Sequence, residues 1–141
     1  MNIDLREMEI TDFDDVHTLW EKSEGLILNS DDSRECVHHF LERNPGLSFV
    51  AVIEGKIVGA ALCGYDGRHG YIHNLAVDSE HRMQGIGKSL VGRCMFELIK
   101  IGIHRCHLCV ESGNESGISF WKKLGWEQRV EMISMSQPLR S

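Results

Sequence analysis

No stretch of the chain's 141 residues approaches the run of about eighteen apolar residues that a membrane-spanning helix needs. The opening Met1-Asn2-Ile3-Asp4-Leu5-Arg6-Glu7 lacks the basic-then-apolar order of a secretory leader, so the expected location is the cytoplasm. Repeats, low-complexity tracts and linker-like stretches are also missing. The length suits a single domain, 1–141, able to bury a core without disulfides, metal or an obligate partner. A basic excess is absent too, since 15 Lys and Arg face 21 Asp and Glu for a net charge of -6. Residues 1–35 hold eleven acidic and three basic side chains, whereas the remainder holds ten and twelve. A nucleic-acid partner is therefore not expected, nor a membrane one. The acidic N-terminal third is either a solvated surface or a field that draws in a cationic substrate.

An even cysteine count is lacking as well. Five cysteines, Cys36, Cys63, Cys94, Cys106 and Cys109, are scattered through segments that otherwise look like core, and they read as free thiols in a reducing compartment. Cys106 and Cys109 form a CxxC, but in a predicted strand a separation of three turns the two side chains to opposite faces. His38 and His39, adjacent on a predicted helix, diverge. No metal is expected.

What is present alternates in two periods. Ile3–Ile10 alternates apolar and polar residues as a half-buried strand does. Thr11 or Asp12 then caps a helix whose Phe13, Val16, Leu19 and Trp20 share a face, and a second helix turns Cys36, Val37, Phe40 and Leu41 inward. Ser48–Ile53, Ile57–Cys63 and Tyr71–Val77 read as an antiparallel meander around the turns Glu54-Gly55-Lys56 and Asp66–Gly70. A helix over Gly85–Ile101, a strand over His104–Glu111, a helix over Asn114–Leu124 and a strand over Trp126–Met135 complete the order βααβββαβαβ. The expected fold is α+β, a central mixed, mostly antiparallel sheet with helices on both faces.

Gly85-Ile86-Gly87-Lys88-Ser89 resembles the end of a nucleoside-triphosphate loop, but the first glycine of that motif falls on Arg82, and ATP chemistry is excluded on that count. The physics of the segment survives without it. A strand ends at Val77, a short polar loop follows, and two glycines spaced by one open a helix. Backbone N–H groups from Gln84 to Lys88 converge there at the positive end of the helix dipole, with Arg82 and Lys88 adding charge. The spot suits a phosphate or pyrophosphate.

Arg82-x-x-Gly85-x-Gly87, preceded by His73-Asn74-Leu75-Ala76-Val77 and followed by the run from Asn114 to Trp126, resembles the GNAT superfamily of acetyl-CoA-dependent N-acetyltransferases over essentially the whole chain. The resemblance implies a GNAT-like fold with acetyl-CoA as co-substrate. Arg82, Gln84, Gly85, Ile86, Gly87 and Lys88 would hold the coenzyme A pyrophosphate. Leu75, Ala76 and Val77 would pair with the pantetheine arm and polarise the thioester carbonyl, and Asn114 and Trp121 would contact the cofactor. In many relatives a tyrosine protonates the leaving thiolate; Trp121 stands at that position and has no such proton. The glutamate base of ribosomal-protein N-terminal acetyltransferases is matched by Cys109. His73, near the expected thioester, and Glu111, expected to share the face of Cys109 and His107, are the candidate proton acceptors. The loop between the first two helices usually lines the acceptor site in this family; Asn29, Asp31 and Asp32 lie in it here and favour a small cationic amine. The expected reaction is direct acetyl transfer to an amine. A peptide N-terminus as acceptor, or an acyl-CoA-binding module with little catalysis, stands as the alternative. The resemblance also leaves room for a homodimer.

Overall fold

The computed structural model describes residues 2–139. Its elements are β1 (Asp4–Glu7), α1 (Phe13–Glu21), α2 (Arg34–Arg43), β2 (Phe49–Ile53), β3 (Lys56–Tyr65), β4 (Gly70–Val77), α3 (Ile86–Lys100), β5 (Cys106–His107) and α4 (Glu115–Lys123). Sheet order follows chain order, β1-β2-β3-β4-β5, antiparallel until the last pair, which is parallel. The expected α+β mixed sheet is therefore what forms.

Period-two alternation splits the core between the two faces. Val50, Ala60, Leu62 and Ala76 pack with Val16, Leu19, Trp20 and Val37 under α1 and α2. Phe49, Ala51, Ala61, Cys63 and Ile72 pack with Ile86, Leu90, Cys94 and Leu98 under α3. Local chemistry sets the joints. Glu54 and Gly55, at φ 51° and 77°, make the tight turn between β2 and β3 that matches strand twist. The Ser33 hydroxyl accepts from the Cys36 amide at 3.2 Å and starts α2. Cys63 and Cys94 are buried free thiols, and the Cys94 side chain first, then burial, pushes the Cys63 thiol far up.

Two expected strands differ. His104–Glu111 is a strand only at Cys106 and His107, because β5 stays beside β4 for just two residue pairs. Over Trp126–Met135 no strand forms: Val130, Met132, Ile133 and Met135 keep the apolar pattern of one but remain exposed. Alternation makes a strand only where a neighbour offers a ladder, and β5 is too short to offer one.

The entry to α1 is fixed by one ion pair. The Arg6 guanidinium donates to both Asp12 oxygens, at 2.8 and 2.9 Å, and the Glu9 amide donates to Asp12 Oδ2 at 2.9 Å. Burial alone would raise the Asp12 pKa, but the Arg6 fork and the amide outweigh it and hold the carboxyl below its usual range. This stabilisation is full above the unfolded value of about 3.9 and fades as pH falls through the lower folded value. Asp12→Ala is expected to cost about 1–2 kcal/mol at pH 7, the pair being discounted for the exposed side of Arg6. In urea unfolding the gap between parent and variant should narrow toward pH 3; a gap independent of pH overturns the assignment.

Candidate functional site

The site begins at an irregularity in β4. Gly59 pairs with Val77 and Ala60 with Ala76, but Leu62 pairs with His73, so Asn74 and Leu75 together stand opposite Ala61. Asn74 takes φ 52°, the left-handed conformation that asparagine tolerates better than most residues. This bulge resets the alternation. Before it, Ile72 faces α3 while His73 lies against Phe40 of α2; after it, Leu75 and Val77 face α3 and Ala76 faces α1.

β4 then loses its outer neighbour. It pairs with β5 at Gly70 and Tyr71 only, with a further bond from the Gly70 amide to the Arg105 carbonyl at 2.9 Å. From Ile72 to Val77 the outer edge has no strand partner among the described residues. An edge of free backbone donors and acceptors receives an extended polar ligand as it would another strand. Leu75, Ala76 and Val77 lie on this stretch.

At the end of β4 the chain makes a 3-10 turn over Ser79–His81 and reaches Gly85. Gly85 has φ 79° and ψ 12°, and no side chain caps the helix behind it. The first amide of α3 to be satisfied within the helix is that of Ser89, bonded to the Gly85 carbonyl at 2.9 Å, so the amides of Ile86, Gly87 and Lys88 have no helical partner. The first turn carries no acidic residue, while Arg82, Gln84 and Lys88 are exposed around it. Ile86 is buried and anchors the helix start in the core. This arrangement fits a phosphate-bearing group. Gly87 plays a different part from the one its spacing suggests: it is buried, and a Cβ there would lie 3.1 Å from the Phe120 ring. Its smallness lets α4 approach α3; Gly85 supplies the backbone freedom.

Of the sequence-derived acceptor and proton-transfer residues, the structure joins two. The Asn74 side-chain amide donates to Asp32 Oδ1 at 2.7 Å, placing that carboxylate where it acts on the His73 imidazole. His73 keeps an exposed edge, yet partial burial of its ring lowers its pKa below the ordinary imidazole value and Asp32 partly offsets this. Asn29 contributes its backbone amide, which donates to Asp32 Oδ2 at 3.0 Å, while its side chain caps the turn at Asp31. Asp31 is exposed, and its backbone amide donates to Asn29 Oδ1 at 2.8 Å. Glu111 is exposed in the turn before α4, where its carbonyl accepts from the Asn114 amide; with β5 ended at His107, no strand carries it to the face of His107.

The Asn114 Oδ1 accepts from the Gly117 amide at 3.0 Å and starts α4. Its Nδ2 has no protein partner and lies where a side chain on Gly25 would stand, so the α1–α2 loop and the start of α4 meet at this amide. Trp121 packs edge-on between Phe120 and Trp126, with ring centres 5.1 and 5.0 Å away, as part of the core beneath α3. Burial pushes the Cys106 thiol up to about 12, Cys109 is exposed outside any strand, and the two form no disulfide. No group of three or more metal-binding side chains occurs among the described residues.

Sequence reading missed Asn74, Phe40, Tyr71 and His69. Asn74 had a visible signal: it is a poor strand former inside Tyr71–Val77. Tyr71 stacks parallel to His73 at 6.2 Å and contacts His107 at 5.6 Å, while His69 Nδ1 lies 3.3 Å from His107 Nε2. Two concavities flank the site. One, of about 300 Å³, lies between Asp15 and Lys22 of α1, Lys56, and Asp78 and Arg82 of the loop; the other, of about 430 Å³, runs along α4 and touches neither His73 nor Gly85.

Residues 13–126 match the model of the acetyltransferase (GNAT) family. An acetyltransferase of Sodalis glossinidius is 31% identical over 137 residues, covering 97% of this chain and 96% of that protein. Among solved structures, the PaiA N-acetyltransferase from Thermoplasma acidophilum in complex with coenzyme A superimposes with a TM-score of 0.77 at 21% identity, covering 88% of this chain and 89% of that one. AAC(6')-Iy in complex with the bisubstrate analogue CoA-S-monomethyl-acetylneamine gives a TM-score of 0.79 at 17% identity, with 98% and 99% covered.

The two glycines of the loop should separate on mutation. Gly85→Ala meets open space but a left-handed backbone, and is expected to cost about 1 kcal/mol or more and to weaken coenzyme A binding. Gly87→Val drives a branched side chain into Phe120 and should lower the melting temperature further while also weakening coenzyme A. Melting curves with and without coenzyme A check both; Gly87→Val melting like the parent refutes the packing role.

Proposed function

The chain belongs to the GNAT family of acetyltransferases, and on that footing we propose that it transfers the acetyl group of acetyl-CoA directly to an amine, small and cationic in solution, with His73 accepting the amine proton. The observation that carries this reading is the left-handed Gly85 ahead of an uncapped helix start, beside a strand edge left open from Ile72 to Val77. Acetyl-CoA supplies the activated acetyl group as a thioester. The amides of Ile86, Gly87 and Lys88, with Arg82 and Gln84 beside them, hold its pyrophosphate. The edge at Leu75, Ala76 and Val77 aligns its arm, an amide there polarises the reacting carbonyl, and Asn114 Nδ2 offers a further donor. The ammonium first gives one proton to solvent; as its nitrogen forms the new C–N bond and the C–S bond breaks, the second proton passes to His73, which returns it to solvent, and the leaving thiolate takes a proton from water. Trp121 gives no proton. A thiolate leaves readily without one, so positioning and proton removal carry the rate.

A binding module without turnover is the competing reading, favoured by Trp121 packing between Phe120 and Trp126 where relatives place an acid; a peptide N-terminus remains the other acceptor class. Five free thiols support a cytoplasmic setting, and among the described residues no helix is long and apolar enough to cross a membrane.

Ligand choice tests the loop first. Acetyl-CoA should raise the melting temperature by several degrees at saturation, and ATP with magnesium far less. The reverse ranking overturns the reading.

The pH profile tests the base. With the His73 pKa held below about 6.5, kcat/KM should fall only as pH drops through that lower value. His73→Asn is expected to lower kcat/KM by about 10²-fold and to remove this acidic limb. A variant with an unchanged profile shows that the proton goes elsewhere.

A further inference from the structure

We propose that the acceptor is a primary amine carried on an aromatic or apolar group, seated against the rings of Tyr71, His73, His107 and Phe40. The inference rests on the N-acetyltransferase reading and narrows its acceptor. Under that reading the cofactor occupies β4 from the bulge to the helix, Leu75 to Lys88, which leaves the acceptor the opposite end, Gly70 to His73. That end is a strip of rings. Phe40 stands edge-on to His73 at 5.8 Å, Tyr71 lies parallel to His73 at 6.2 Å, Tyr71 meets His107 at 5.6 Å, and His107 meets His69 at 4.8 Å. All four contacts lie where β4 and β5 are still paired or have just parted. None of the rings is fully buried, so the strip offers apolar surface to an incoming molecule.

Charge argues the same way. Of the loop residues Asn29, Asp31 and Asp32, Asp32 is the one whose charge acts on His73, and each of its oxygens already accepts a hydrogen bond, from Asn74 Nδ2 and from the Asn29 amide. A polycation needs several free carboxylates; beside His73 the strip offers Asp32, whose two oxygens are already engaged. One ammonium near Asp32 with an aryl or alkyl body on the rings satisfies both features. The lowered proton affinity of His73 fits the same low-polarity surface.

The probes are 2-phenylethylamine and spermidine, each a primary amine, titrated calorimetrically into the full chain saturated with coenzyme A, and each assayed with acetyl-CoA for release of the free thiol. The chain should bind 2-phenylethylamine about tenfold more tightly than spermidine. Tyr71→Ala should erase most of that preference while coenzyme A affinity stays within about twofold; if Tyr71→Ala melts before the assay temperature, Phe40→Leu serves in its place. Equal or tighter spermidine binding, binding of neither amine, or a preference unchanged in the variant overturns the proposal. Preferential 2-phenylethylamine binding without thiol release from either amine overturns the transferase reading instead and leaves the ring site standing.

Discussion

A hydrogen bond of 2.7 Å from Asn74 to Asp32 spans 42 residues of chain and ties the bulge in β4 to the loop between α1 and α2. A non-glycine residue in the left-handed region costs about 1 kcal/mol, and this bond, made to a carboxylate, is of the size to offset it. Much follows from holding the bulge. Without it, strict alternation would place Leu75 with His73 on the α2 face and Asn74 under α3. With it, His73 and Ala76 lie on the α1–α2 side, and Leu75 and Val77 lie on the α3 side. The proposed proton acceptor and the proposed cofactor edge thus come from one strand but belong to different faces.

The two halves of the site are built from different materials, which decides how much of each could be read in advance. The cofactor end is mostly backbone: a left-handed glycine, three unpaired amides and an open strand edge. Backbone geometry of this kind leaves a mark in local spacing, and Arg82-x-x-Gly85-x-Gly87 carries it. Helices α3 and α4 and the strands of the meander were legible for the same reason, their apolar residues recurring with the right period. The acceptor end is made of side chains drawn from α2, β4 and β5, and nothing in the order of residues says that Phe40, Tyr71 and His107 meet.

Other misreadings have particular causes. One left-handed residue does not disturb a pattern of period two enough to be seen, so the bulge was read as plain strand. Gly85 and Gly87 look equivalent in sequence, yet one turns the backbone and the other admits Phe120. Val130, Met132, Ile133 and Met135 have the composition of a strand and no ladder to join. Pattern states what a segment is able to form; pairing depends on its neighbours, and here the neighbour stops at His107.

The order of strands in the sheet is the order of strands in the chain. In folding terms, β2, β3 and β4 can each dock on a strand already made, as a chain emerging from its N-terminus would allow, and the tight turn at Glu54-Gly55 keeps the β2–β3 closure short. Only β5 must wait, since its parallel pairing with β4 requires the whole of α3 to cross first. A nascent chain halted before Cys106 would thus hold four paired strands, the open edge of β4 and the start of α3, and would lack β5 at Gly70 and Tyr71 and the Asn114 amide.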